Sequence, residues 1–240
     1  ALSPELRGLG CHSTGVPEAV IFDMDGVLVD SEPIWQDVEI ERFGALGVPL
    51  TREMCAQTMG LRVNEAVQHW FDRHPWSGPS VHDVAEDLVA GVIATIGERG
   101  EPMPGVREAI SFLEAEGMRL AIASSSYYRV IDAVLDRFAL RDHFEVVHSA
   151  EDETHGKPHP AVYLSAARKL GADPRACVAI EDSPNGVVSA VTAGMACIAV
   201  PDPAAATDER LARALAVIPS LAEIAEGWAE VARRYYSTDA

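Results

Sequence analysis

The sequence has 240 residues, with 19 basic against 37 acidic side chains and a formal charge of −18. Its 48% hydrophobic and 23% charged fractions exclude a disordered chain, and this length buries a core without disulfide or metal staples. The negative charge repels polyphosphate and anionic lipid, so no nucleic acid and no membrane is expected as a partner.

Residues 1–17, rich in Gly, Pro and Ser, read as a loose leader without the basic and apolar regions of a signal peptide. No apolar stretch approaches the ~20 residues of a membrane span. The four cysteines lack metal-like or CxxC spacing, and Cys177 and Cys197 sit in apolar runs as core residues. A cytoplasmic monomer is the default expectation.

Ala19-Val20-Ile21-Phe22 is a short apolar run ending in Asp-Met-Asp-Gly, as a buried parallel strand does. Similar runs follow at Arg119–Ala123, Phe144–Val147, Cys177–Ile180 and Ala196–Val200. Helical spacing appears between them at Val106–Glu116, Tyr127–Phe138, Pro160–Leu170 and Pro184–Ala193, and the Ala-rich Leu211–Tyr236 is expected to be helical throughout. Strands alternating with helices predict an α/β fold with a doubly wound parallel sheet. From Ile34 to Met103 there is no strand-like run, only helical segments such as Ile34–Leu46, Asn64–Arg73 and Val81–Glu98 between proline-bearing hinges. The expected organisation is an α/β core at 18–33 and 104–240 with an inserted all-helical cap at 34–103.

Ligands of such sheets bind beyond the carboxyl ends of the strands. The polar residues there are Asp23 and Asp25 after the first run, Ser124 to Ser126 after the second, and Glu181-Asp182-Ser183 after the fourth, with Lys157 in the loop after the third. A DxDG tetrad alone arises by chance in roughly one chain of this size in 25. The Asp30-Ser31 pair at fixed spacing and the other loops make the set far more specific. Lys157 is one of two lysines beside 17 arginines, a compact ammonium kept in a chain that otherwise uses the guanidinium fork. The serine run also reads as a helix N-terminus, which itself suits an anion.

FDMDGVLVDSEP, the IASS loop, GKPHP and EDSPNG resemble the four motifs of the haloacid dehalogenase superfamily, and the resemblance covers nearly the whole chain from about Val20. Within it, TMGLRVNEAVQHWFDRHPWSGPS is similar to bacterial phosphatases of hexitol and 2-deoxyglucose 6-phosphates. The resemblance implies Asp23 as the nucleophile that forms an aspartyl-phosphate, and Asp25 as the acid for the leaving oxygen and the base for water. It implies Mg²⁺ held by Asp23, the Asp25 backbone carbonyl and Asp182, with Glu181 assisting, and phosphoryl oxygens held by Lys157, Ser124 and the Ser125 backbone. Arg62, in the GLR turn, is the candidate for the far end of the substrate, and Glu32 for sugar hydroxyls or for capping a helix. Trp70 and Trp76 suit core packing better than sugar stacking.

Asp25 disfavours the dehalogenase branch, and the absence of Lys from the cap segment excludes a Schiff-base phosphonatase. The expected activity is Mg²⁺-dependent hydrolysis of a small phosphosugar. A β-phosphoglucomutase-like mutase is the alternative, weakened because that enzyme is expected to grip a second phosphate with a cap Lys. A non-catalytic descendant would have lost a motif, and all are intact.

Overall fold

The computed structural model describes residues 17–202 and 205–236; of the expected leader only Pro17 falls within them. Strand β1 (Ala19–Phe22) is followed by α1 (Glu32–Ala45), α2 (Arg52–Cys55), α3 (Val63–Arg73) and α4 (Val81–Arg99), with a 3-10 turn at Ala56–Thr58. The remainder runs α5 (Val106–Ala115), β2 (Arg119–Ser124), α6 (Tyr128–Phe138), β3 (Val146–Ser149), α7 (Ala161–Leu170), β4 (Cys177–Glu181), α8 (Pro184–Thr192), β5 (Ala196–Ala199), β6 (Ala216–Val217) and α9 (Ile224–Tyr236). The strands form one parallel sheet in the order β3-β2-β1-β4-β5-β6.

Alternation along the strands divides the core. One face carries Val20, Phe22, Leu120, Ile122, Val178, Ile180 and Ile198, under α5, α6 and α9. The other carries Ala19, Ile21, Ala121, Ala123, Ala179, Cys197 and Ala199, under α7 and α8. Both faces are buried, which is why the strands read as unbroken apolar runs. The smaller residues on the second face let Tyr163, Ala166 and Ala167 of α7 and Ala190 of α8 pack close to the sheet. Cys177 and Cys197 are buried free thiols within this layer. Among the described residues no helix is long and apolar enough to cross a membrane.

Two expectations are corrected. The third strand begins at Val146, because Arg141–His143 form a 3-10 turn and Phe144 packs edge-on against Phe22 at 5.7 Å before the ladder starts. Leu211–Tyr236 is not one helix. Pro219 holds the preceding residue extended, Leu215 and Ile218 donate to Cys197 and Ala199 carbonyls, and β6 forms between them; helix resumes at Ile224.

A candidate active site at the carboxyl edge of the sheet

Strand register brings the acidic residues together. Phe22 pairs with both Ile122 and Ile180, so Asp23 stands level with Glu181, and Ser124 lies at the end of β2 beside them. The Asp23 amide extends the ladder by donating to the Ile180 carbonyl at 2.9 Å. The strand order reverses between β1 and β4, where open α/β sheets bind their ligands.

Asp23, Ser124, Lys157, Glu181 and Asp182 are all buried. Lys157 Nζ donates to Glu181 Oε1 at 2.6 Å and lies 2.9 Å from Asp23 Oδ1. The second contact is an ion pair outside hydrogen-bond alignment, so Asp23 Oδ1 is a buried carboxylate oxygen with no hydrogen-bond partner. The Tyr163 hydroxyl donates to Glu181 Oε1 at 2.6 Å, and the Ser183 hydroxyl approaches Oε2 at 3.3 Å. Gly186, in the first turn of α8, makes room for this carboxylate: a Cβ there would overlap both of its oxygens. Gly26, with φ +70°, similarly leaves space for Asp182 Oδ2.

Burial pushes the Asp23 carboxyl up to about 7, with Lys157 pulling it down and the Glu181 and Asp25 charges pushing it up. Asp182 is raised well above the carboxylate range by burial, and then by Glu181 and Asp23. Burial alone would lower the Lys157 ammonium, but the Asp23 and Glu181 carboxylates outweigh it and hold the amine above its ordinary value. One cation therefore faces three crowded carboxylates, whose ligand oxygens lie within 4.8 Å of one another. A hard divalent cation fits this all-oxygen donor set, and its charge would favour the ionised carboxylates.

The Asp25 carboxylate is engaged elsewhere. It accepts from Ser31 Oγ at 2.6 Å, Trp35 Nε1 at 3.1 Å and Ser126 Oγ at 2.7 Å. Residues 24–29 fold tightly onto themselves to aim it, with the Met24 carbonyl accepting the Leu28 amide at 2.7 Å. Ser124 Oγ accepts from the Ser126 amide at 3.0 Å, and Ser125 Oγ donates across to the Gly60 carbonyl at 3.0 Å.

Above this floor lies a cavity with about 800 Å³ of free space, its open mouth included. Asp23, Asp25, Asp182, Ser125 and Ser126 line one side, and Glu32, Trp35, Gln36 and Glu39 of α1 line another. Ser124, Lys157 and Glu181 do not line it. Glu32 accepts from Gln36 Nε2 at 2.7 Å, and burial raises its carboxyl.

Arg62 is not brought to the cavity. Its guanidinium donates to the Glu153 carbonyl at 2.7 Å and to Glu65 Oε1 at 2.6 Å, with Ala150 and Thr154 carbonyls at 3.5 and 3.4 Å. These contacts make it a strap between the α2–α3 turn and the loop after β3. Trp70 is core and Trp76 packs on Phe43 and Phe71; the tryptophan at the cavity is Trp35, which sequence reasoning missed. Its spacing of four from Ser31, one helical turn, was the available signal. Tyr163 was also missed, since an aromatic on a helix facing a sheet looks like plain core.

The profile of the haloacid dehalogenase-like hydrolase family matches residues 17–194. Hexitol phosphatase B of Escherichia coli (strain K12) is 43% identical over 207 residues, covering 86% of this chain and 93% of that protein. The crystal structure of CbbY from Rhodobacter sphaeroides in complex with phosphate aligns with a TM-score of 0.79 at 29% identity, covering 87% of this chain and 96% of that one. The β-phosphoglucomutase structure from Clostridium difficile shares the fold, with a TM-score of 0.78 at 21% identity over 90% of this chain and 99% of that one. Motifs, sheet order and relatives agree: the chain belongs to the haloacid dehalogenase-like hydrolase family.

Proposed function

We propose that this hydrolase is a Mg²⁺-dependent phosphatase of small sugar or sugar-alcohol monophosphates, with Asp23 as nucleophile. The observation that carries the reading is the pairing of Asp23 and Lys157 at the strand reversal, beneath a cavity lined by no Lys, Arg or His among the described residues. Such a cavity suits a neutral, hydroxyl-bearing leaving group and offers no grip for a second phosphate, which disfavours the mutase. The 43% identity to a hexitol phosphatase supports the same class.

Asp23, Asp182 and the Asp25 carbonyl would hold Mg²⁺, with Glu181 behind them. Bound there, the ion masks the negative charge of nucleophile and phosphate. Asp23 attacks phosphorus, the bond to the sugar oxygen breaks, and Asp25 gives that oxygen its proton. Asp25 then takes a proton from water, which attacks the aspartyl-phosphate, releases inorganic phosphate and restores Asp23. Lys157 and the Ser124 hydroxyl, with the Ser125 amide, hold the transferring oxygens. The helices of 34–103 act as a cap that excludes bulk water. Its two connections pair antiparallel at Val29 and Pro102, with Asp30 N donating to Glu101 O at 3.0 Å.

The test is phosphate release from hexose, hexitol and pentose phosphates, with Mg²⁺ or EDTA, beside Asp23→Asn. Metal-dependent release abolished by the substitution is expected. No release from any member by a folded enzyme, or turnover that depends on added sugar bisphosphate, would overturn the reading.

A further inference from the structure

Glu39 is a buried acid that the mechanism above does not use. It lies on α1 at positions i, i+4 and i+7 with Glu32 and Gln36, one helix face, and all three line the cavity. A carboxyl this buried is ordinarily matched by a cation, yet Glu39 is 8% exposed and, among the described residues, no cation pairs with it and the Cys55 thiol, which also lines the cavity, is its donor. The nearby charge is Glu32, of the same sign. Gln36 is fixed between neighbours: its amide nitrogen donates to Glu32 and its oxygen accepts from Arg52 Nη1 at 2.8 Å. Glu39, two turns and about 10 Å of helix rise beyond Glu32, thus presents a largely unused carboxyl to enclosed space.

A thiol is a weak donor, so most of the hydrogen-bonding capacity of this carboxyl is unmet. Sugar hydroxyls would satisfy it, while a second phosphate or a carboxylate would meet two acids and no cation on this face. We propose that Glu39 is a specificity-determining residue that reads a hydroxyl of the leaving polyol, with Glu32 reading another nearer the phosphate. This rests on the phosphatase reading above and names what its substrate must offer. Burial holds the Glu39 carboxyl up at about 7, so near neutrality it serves both as donor and as acceptor.

The test compares wild type, Glu39→Gln and Glu39→Leu on a hexitol 6-phosphate, 2-deoxyglucose 6-phosphate and p-nitrophenyl phosphate, which has no hydroxyls to read. The ratio of kcat/KM for the sugar phosphates to that for p-nitrophenyl phosphate should fall about tenfold or more in Glu39→Leu, chiefly through KM, and less in Glu39→Gln. An unchanged ratio in both variants, including an equal loss on every substrate, would overturn the inference. If Glu39→Leu does not fold, the ratio in Glu39→Gln decides, with any fall in it supporting the proposal. A wild-type enzyme that releases no phosphate even from p-nitrophenyl phosphate would instead overturn the phosphatase reading itself.

Discussion

Replacing Gly186 by Ala in α8 sets two effects against each other. In an ordinary helix interior the change stabilises by up to about 1 kcal/mol. Here the new methyl would occupy the place of the Glu181 carboxylate, which is fully buried and bound by Lys157 and Tyr163 at 2.6 Å each. The end of a glutamate normally swings aside, but this one must break both bonds to do so. Hydrogen bonds involving charged groups contribute about 1.5–3 kcal/mol each. Even if half of that is recovered by rearrangement, the loss exceeds the propensity gain, and a net destabilisation of about 1 kcal/mol is expected. At this chain length that lowers Tm by about 2–4 °C. Phosphatase activity should fall with it, because Lys157 follows Glu181 away from Asp23. Gly97→Ala is the control: this glycine is in α4 with nothing within 4 Å of its added Cβ, so Tm should rise slightly. Equal stability of the two variants in a calorimetric scan would refute the argument that Gly186 exists to make room for Glu181.

Three further outcomes follow from the contacts. Ser31→Ala and Trp35→Phe each remove a donor to Asp25; kcat should fall roughly tenfold for an alkyl phosphate but much less for p-nitrophenyl phosphate, whose leaving group needs little protonation, and equal losses would remove Asp25 from proton transfer. Arg62→Ala frees the strap to the Glu153 carbonyl and should raise KM by roughly tenfold for long and short substrates alike; a loss confined to long ones would show direct substrate contact. Glu39→Gln should change the pH dependence of stability. The folded carboxyl is raised from 4.5 to about 7, so wild type loses stability as pH rises through that window. At about 1.4 kcal/mol per pH unit, the advantage of Glu39→Gln over wild type should grow by about 3 kcal/mol between pH 4.5 and 8 in urea melts, and a constant difference would contradict the burial of an ionisable group there.

The order of strands and helices was legible because this sheet is buried on both faces, which leaves short apolar runs that end abruptly in polar loops. The cluster of polar residues at the sheet edge was legible for the same reason: Asp23, Ser124 and Asp182 lie at or directly beyond strand ends, where register alone brings them together. Pairings set by helix packing were not. Lys157 could be singled out by composition, but its pairing with both Asp23 and Glu181 depends on how the loop before α7 lies against β4. Arg62 shows the limit most clearly, since an arginine in a turn looks the same whether it meets a substrate or backbone carbonyls. The break at Ile218-Pro219 was readable and outweighed by the alanine-rich composition around it.

The central claim is that Asp23 carries the phosphoryl group, and trapping that group tests it most directly. In Asp25→Asn the second step lacks its base, so acid quenching after mixing with Mg²⁺ and a phosphate monoester of a good leaving group should leave one phosphoryl group on the enzyme. The account predicts that peptide mapping places it on Asp23, and that Asp23→Asn abolishes it. Label on another residue, or phosphate release with no enzyme-bound phosphoryl species in any variant, would contradict it.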